Sequence, residues 1–291
     1  MSALYSEERF SAQDGLGLAY RDYDGGGDGD GVPVLCLAGL TRNGADFHKF
    51  ASRVCAQRRV IAFDLRGRGR SDWDPDHSHY APPTYLGDIG HLLTVTNLHR
   101  VVVIGTSLGG MLAMAMGATR PTALAGVVLN DIGPEIDPRG IDRIRGYVGQ
   151  PVTLRSFEDA AKVMREIYGH TFPDYDDAAW LEQARNSYDV NDDGTLRPNY
   201  DPGIATAMRE EAGSLDMWPF FRSLQDVPTV SLRGEISDIL APETVSRMQA
   251  EKPDLVTVTV PNRGHVPDLS EPAAVAAIDA LLKRVDDNER H

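Results

Sequence analysis

Cysteine is scarce in this chain of 291 residues: Cys36 and Cys55 are the only two. Both fall inside apolar patterns, which reads as small buried hydrophobes in a reducing compartment rather than a disulfide or a catalytic thiol. Basic residues are in deficit too, 29 Lys and Arg against 43 Asp and Glu, giving a net charge of −14 and a pI near 4.9. A surface of that sign repels phosphate, which argues against nucleic acid or an anionic membrane as partner. The opening MSALYSEERF has neither a basic start nor an apolar stretch. No signal peptide is therefore expected, and the chain is assigned to the cytoplasm. Uninterrupted hydrophobic runs are missing as well. Residues 101–118 carry no charge, but four glycines and a Thr-Ser pair break them up. A β-branched first part and an unbranched second part read as strand, turn and helix rather than a bilayer span.

What is present is rhythm. After LGLAYRDY and a glycine-rich loop, Asp24 to Gly31, short β-branched runs alternate with longer helical patterns. VPVLCLAGL, RRVIAFDL, RVVVIGTS and ALAGVVLNDIG read as buried strands, with NGADFHKFASRVCA, TYLGDIGHLLTVTNL and LGGMLAMAMGATR as helices between them. Fully apolar strands alternating with helices predict an α/β fold, a mostly parallel sheet covered on both faces. The rhythm stops after Pro134 and resumes at VPTVSLRG and LVTVTVPN. The expected division is a core of residues 1–134 and 223–291, with a helical insertion, 135–222, lying over it as a cap. No internal repeat is found. DVNDDG, Asp189 to Gly194, opens like a calcium loop, but Tyr200 stands where the closing bidentate glutamate belongs, so a turn is expected.

VVVIGTSLGGMLAM carries the chemistry. Ser107 sits at a strand-to-helix junction between Gly105 and Gly109, a turn so tight that side chains at those positions would clash. It lifts the hydroxyl above the sheet edge, in front of a helix N-terminus. A serine needs a base. Of eight histidines, His265 in PNRGHVPDL follows the last strand pattern and is the best placed. The base needs an orienting carboxylate. Asp238 in SLRGEISDIL is preferred, with Asp131 in LNDIGP and Glu235 as alternatives.

These segments resemble the α/β-hydrolase superfamily over nearly the whole chain. LAGLTRN is similar to its oxyanion loop, although Ala38 stands where a histidine is common. DLRGRGRSD resembles the segment after the next core strand, GTSLGG the nucleophile elbow, LRGEISDIL the acid loop and GHVPDL the histidine loop. The acid stands one residue later than the shorter G-x-x-D spacing, which keeps Glu235 in play. The resemblance implies Ser107 as nucleophile, His265 as base, Asp238 as orienter and the N–H groups of Leu40 and Leu108 as oxyanion donors. It implies no cofactor and no metal. Arg66, Arg68 and Arg70 are expected to organise loops below the site. Serine at the elbow disfavours dehalogenation and epoxide opening, leaving hydrolysis of a small, largely apolar ester or lactone as the implied activity. Two other readings stand beside it: carbon–carbon hydrolysis of a ring-fission product, and a ligand-binding protein without turnover.

Overall fold

A computed structural model describes residues 4–24, 29–150, 152–210 and 215–290. Half of the glycine-rich loop, residues 25–28, and residues 211–214 lie outside them. The first half comprises β1 (Ser6–Ser11), β2 (Gly17–Tyr23), β3 (Val34–Leu37), α1 (His48–Val54), β4 (Val60–Asp64), α2 (Pro82–Val95), β5 (Val101–Thr106), α3 (Leu108–Thr119) and β6 (Leu124–Asn130). After an intervening segment come β9 (Thr229–Gly234), α9 (Pro242–Glu251), β10 (Val256–Val260) and α10 (Pro272–Glu289). These strands form one eight-stranded sheet in the order β1-β2-β4-β3-β5-β6-β9-β10, antiparallel at β1–β2 and β2–β4 and parallel elsewhere. The chain has the α/β-hydrolase fold expected from its sequence. No described helix is long and apolar enough to cross a membrane.

Strand geometry explains why the central runs are apolar throughout. Side chains alternate faces along a strand, so Val34 and Cys36 enter one buried cluster and Leu35 and Leu37 the other. Val102 and Ile104 likewise face away from Val101 and Val103. Helices cover both faces, and every position of β3, β4 and β5 is buried. β1 was not anticipated: SEERFS is exposed along almost its whole length and has no apolar run to mark it.

Between β6 and β9 lie α4 (Pro138–Tyr147), α5 (Phe157–Tyr168), α6 (Asp177–Ser187), a hairpin of β7 (Tyr188–Val190) and β8 (Leu196–Pro198), α7 (Gly203–Glu210) and α8 (Trp218–Arg222). The hairpin was also unforeseen. Its turn is the DVNDDG segment, closed by Asn191 N–H donating to Thr195 O at 2.7 Å and by Asp193, which accepts from Thr195. This part has its own apolar cluster, centred on Met164, Trp180 and Leu196. Backbone bonds stitch it to the rest: Gly69 N–H donates to Asn199 O, Asp201 N–H to Gly67 O and Gly264 N–H to Thr171 O, at 2.8, 2.8 and 2.9 Å.

Asp64, at the end of β4, accepts the N–H groups of Gly44 at 2.6 Å and Arg70 at 2.8 Å. Burial nonetheless raises its carboxyl from 3.8 to about 6. A folded-state value above the unfolded one means that the native protein holds this proton more tightly. Stability is therefore lost as pH rises from about 3.8 through about 6, by about 3 kcal/mol in full. Urea unfolding of wild type and Asp64→Asn at pH 4 and pH 6.5 checks this. Wild type should lose about 2–3 kcal/mol relative to the variant across that interval, whereas a constant difference would refute the assignment.

Candidate active site

Ser107 stands between β5 and α3 at φ 52° and ψ −115°, a left-handed backbone that a side chain rarely adopts. The flanking glycines make the turn possible. A Cβ on Gly105 would lie 2.4 Å from Gly109 O, and one on Gly109 would lie 2.1 Å from Leu37 O. Helix α3 thus crosses β3 and β5 backbone to backbone. Leu108 is the first residue of α3, where N–H groups lack intrahelical acceptors. Leu40 follows β3 in the loop beside it. A Cβ on Gly39 would come within 3.6 Å of Ser107 Cβ, so this loop runs against the serine.

His265 is brought to Ser107, with Nε2 lying 3.0 Å from Oγ. Its Nδ1 lies 2.8 Å from Asp131 Oδ2. Asp131, in the turn after β6, is fully buried and accepts two more bonds, from Gly234 N–H at 2.8 Å and Ser237 Oγ–H at 2.6 Å. Asn130 steadies the histidine loop, its amide donating to Pro267 O at 2.9 Å.

Asp238, the acid preferred from sequence, is not His265's partner. Both of its oxygens are held by the Arg143 guanidinium of α4, at 2.6 and 2.8 Å. Burial works to raise its carboxyl, but the Arg143 bond brings it below the ordinary range. Glu235 points elsewhere, accepting Asn262 N–H at 3.0 Å. The carboxylate that faces His265 is the alternative, Asp131. The loop after β9 contributes donors to it, Gly234 and Ser237, rather than a carboxylate. The signal available in the sequence was the aspartate closing a wholly apolar strand in LNDIGP.

Two of the three arginines, Arg66 and Arg68, hold loops through their side chains. Arg68, without exposed surface, donates to Leu40 O at 2.8 Å, to Arg66 O at 2.7 Å and to the Tyr85 hydroxyl at 2.8 Å. Arg66 binds Asp88 through two bonds of 2.7 Å. It also pairs with Asp14 and Asp74, which together with His79 bring three ligand atoms within 4.8 Å of one another. The guanidinium already supplies the cation for those carboxylates.

Ser107 and His265 open into a cavity of about 120 Å³. Its walls combine the core residues Leu40 and Phe47 with Ile144, Tyr147, Met164, Tyr168, Phe172 and Trp180 from the segment between β6 and β9. Four aromatics of this segment, Tyr147, Tyr168, Trp180 and Trp218, divide between lining and packing. The first three line the cavity, whereas Trp218 is buried in the core and bonds Glu135 at 2.7 Å. Arg42, not singled out from sequence, also lines the cavity.

Comparison with known proteins agrees with the fold. The alpha/beta hydrolase family profile matches residues 34–278. A 3-hydroxybutyrate-oligomer hydrolase of Cupriavidus necator is 34% identical, over 89% of this chain and 90% of that one. A 2-(acetamidomethylene)succinate hydrolase of Mesorhizobium japonicum is 29% identical over 87% and 90%. The crystal structure of an alpha/beta hydrolase from Novosphingobium aromaticivorans superposes with a TM-score of 0.91 at 42% identity, covering 98% of this chain and all of that one.

The elbow is a packing constraint that can be tested without any substrate. Gly109→Ala forces a methyl against Leu37 O and should destabilise the fold by about 3 kcal/mol. Gly146→Ala, with open space around its added Cβ, is the control. Chemical unfolding of both distinguishes them, and equal midpoints would show that the elbow relaxes at little cost.

Proposed function

This chain belongs to the alpha/beta hydrolase family, and we propose that it is a serine hydrolase cleaving a small, uncharged carboxylic ester or lactone through an acyl-enzyme. The observation that carries this reading is the continuous hydrogen-bonded line from Ser107 through His265 to Asp131 on the cavity floor. An ionised carboxylate only accepts, so Asp131 fixes the proton on Nδ1 and leaves Nε2 free as an acceptor. As Ser107 Oγ attacks the carbonyl, its proton passes to Nε2, and Asp131 stabilises the resulting imidazolium. The oxyanion is received by the N–H groups of Leu40 and Leu108, each such donor contributing roughly 3–4 kcal/mol to the barrier. The imidazolium then gives its proton to the departing alkoxide, and the C–O bond breaks. Water, deprotonated by the same Nε2, releases the acid. No cofactor enters any of these steps.

The segment of residues 135–222 acts in this reading as a cap that closes the cavity and excludes water. Charge in the cavity argues for an uncharged substrate. Arg42 is matched by Asp46, and Asp268 bonds the Tyr175 hydroxyl, so among the described residues lining the cavity no cation is left over for a carboxylate. A dianionic substrate, such as the name of the Mesorhizobium relative describes, finds no counter-charge beside Ser107. The Cupriavidus relative, whose name describes an oligomer of a hydroxy acid, is the better guide.

Fluorophosphonate labelling read by intact mass comes first. One adduct on wild type and none on Ser107→Ala is expected, whereas an unlabelled but folded wild type would favour a binding protein. With 4-nitrophenyl butyrate, Asp131→Asn should lower kcat by about 10³–10⁴-fold through loss of the productive tautomer. Asp238→Asn should change it by less than about fivefold. The reverse order would return the role to Asp238.

A further inference from the structure

The cavity at Ser107 adjoins a second one, of about 50 Å³. Thr41, Arg42, Tyr147, Met164 and Tyr168 line both, so the partition between them is made of single side chains. The second cavity has an apolar far side, to which α5 contributes Val163 and Ile167, residues that do not line the first. The partition itself is polar. Tyr147 and Tyr168 meet edge to face with ring centroids 5.4 Å apart. Burial raises both phenols, which therefore stay protonated at neutral pH, and a hydrogen bond between the two hydroxyls leaves one O–H of the pair to donate.

Arg42 is the unusual member. A guanidinium has five N–H donors. Nε donates to Asp46 at 2.7 Å, Nη2 to the other Asp46 oxygen and to Gln183 at 2.8 Å, and Nη1 to Ser187. That uses four; among the described residues the fifth, on Nη1, has no acceptor. Its charge is already balanced by Asp46, so a second carboxylate there would meet a neutral pair and the Asp46 anion. A carbonyl, ether or hydroxyl oxygen could accept that hydrogen without any such repulsion.

Resting on the serine-ester reading above, we propose that the second cavity is a distal acyl compartment. Arg42 and Tyr168 select acyl chains bearing an uncharged oxygen where the chain passes from one compartment to the other. The substrate class is then an oxygen-interrupted acyl ester, such as an ester of an acylated hydroxy acid, rather than a plain fatty ester. Its alkyl end lies against Val163 and Ile167. Met164, unbranched and adaptable, gives the partition room to open.

Binding tests this independently of turnover. Ser107→Ala is titrated calorimetrically with methyl 3-acetoxypropanoate and with methyl hexanoate, two esters of equal chain length that differ only in the internal oxygens. The oxygen-bearing ester should bind about tenfold more tightly, and adding Tyr168→Phe should bring the two affinities together. Ile167→Trp, which fills the second cavity, should weaken both esters about tenfold; Val163→Phe replaces it if the tryptophan variant does not fold. Equal affinities in the Ser107→Ala background overturn the selection of oxygen, and full affinity in the filled variant overturns the compartment. Failed fluorophosphonate labelling would instead overturn the serine reading and leave these affinities measurable.

Discussion

A carboxylate with no exposed surface must be met by donors or remain protonated, because desolvating an unmatched anion is too unfavourable to persist. Asp131 is met by three, and they come from different parts of the chain. Gly234 closes β9, Ser237 follows it, and His265 lies in the loop after β10. Since Asp131 itself directly follows β6, one buried charge ties together the ends of three strands that are neighbours in the sheet. The next strand over, β5, leads into Ser107, which the far side of the His265 ring reaches at 3.0 Å. Four chain segments remote in sequence are thus brought together by strand order and by the need to satisfy one anion.

The other side of β5 is organised on the same principle with the signs reversed. β3 is the neighbour there, and the loop leaving it carries Leu40. Arg68 is a buried cation that uses three hydrogen bonds and the faces of Tyr80 and Tyr85, its guanidinium carbon 5.5 and 5.0 Å from their ring centroids. One of those bonds takes the Leu40 carbonyl, which fixes the peptide plane and hence the direction of the neighbouring N–H groups. The strongly acidic net charge of the chain therefore sits over an interior whose loops are held by arginines.

Most of this fold was legible because its central strands are buried on both faces, so their apolar runs are continuous and alternate with longer helical segments. β1 and the β7–β8 hairpin left no such trace. β1 is an exposed strand laid along the adjacent β2, the hairpin is tied to the rest by the Leu154–Leu196 bridge, and neither carries an apolar run of its own. At the site, Ser107 could be read from glycines that sterics require, and His265 from its place after the last core strand. The choice among carboxylates could not be read in this way. Asp238 and Asp131 both follow core strands, and only the path of the loop after β9 decides which one faces His265. That path depends on Arg143, ninety-odd positions earlier, whose pairing with Asp238 has no signature in either local sequence.

The fate of Asp238 also shows how one loop can serve two structures. Residues 234–240 leave β9 and present Gly234 N–H and Ser237 Oγ–H to Asp131, then turn so that Asp238 meets Arg143 on α4. Ser237 is the hinge of this arrangement: its hydroxyl donates to Asp131 and accepts from Ile239 and Leu240 N–H at 3.1 and 3.2 Å. Had Asp238 turned inward, it would have placed a second carboxylate beside a buried one, where like charges raise one another's pKa and one would take up a proton. Pairing it with α4 keeps that charge away and gives the helix that carries Tyr147 a firm attachment to the sheet. The positions of the cavity wall and of the imidazole are thereby set by the same seven-residue loop, so the wall and the reacting groups keep a fixed relation to each other.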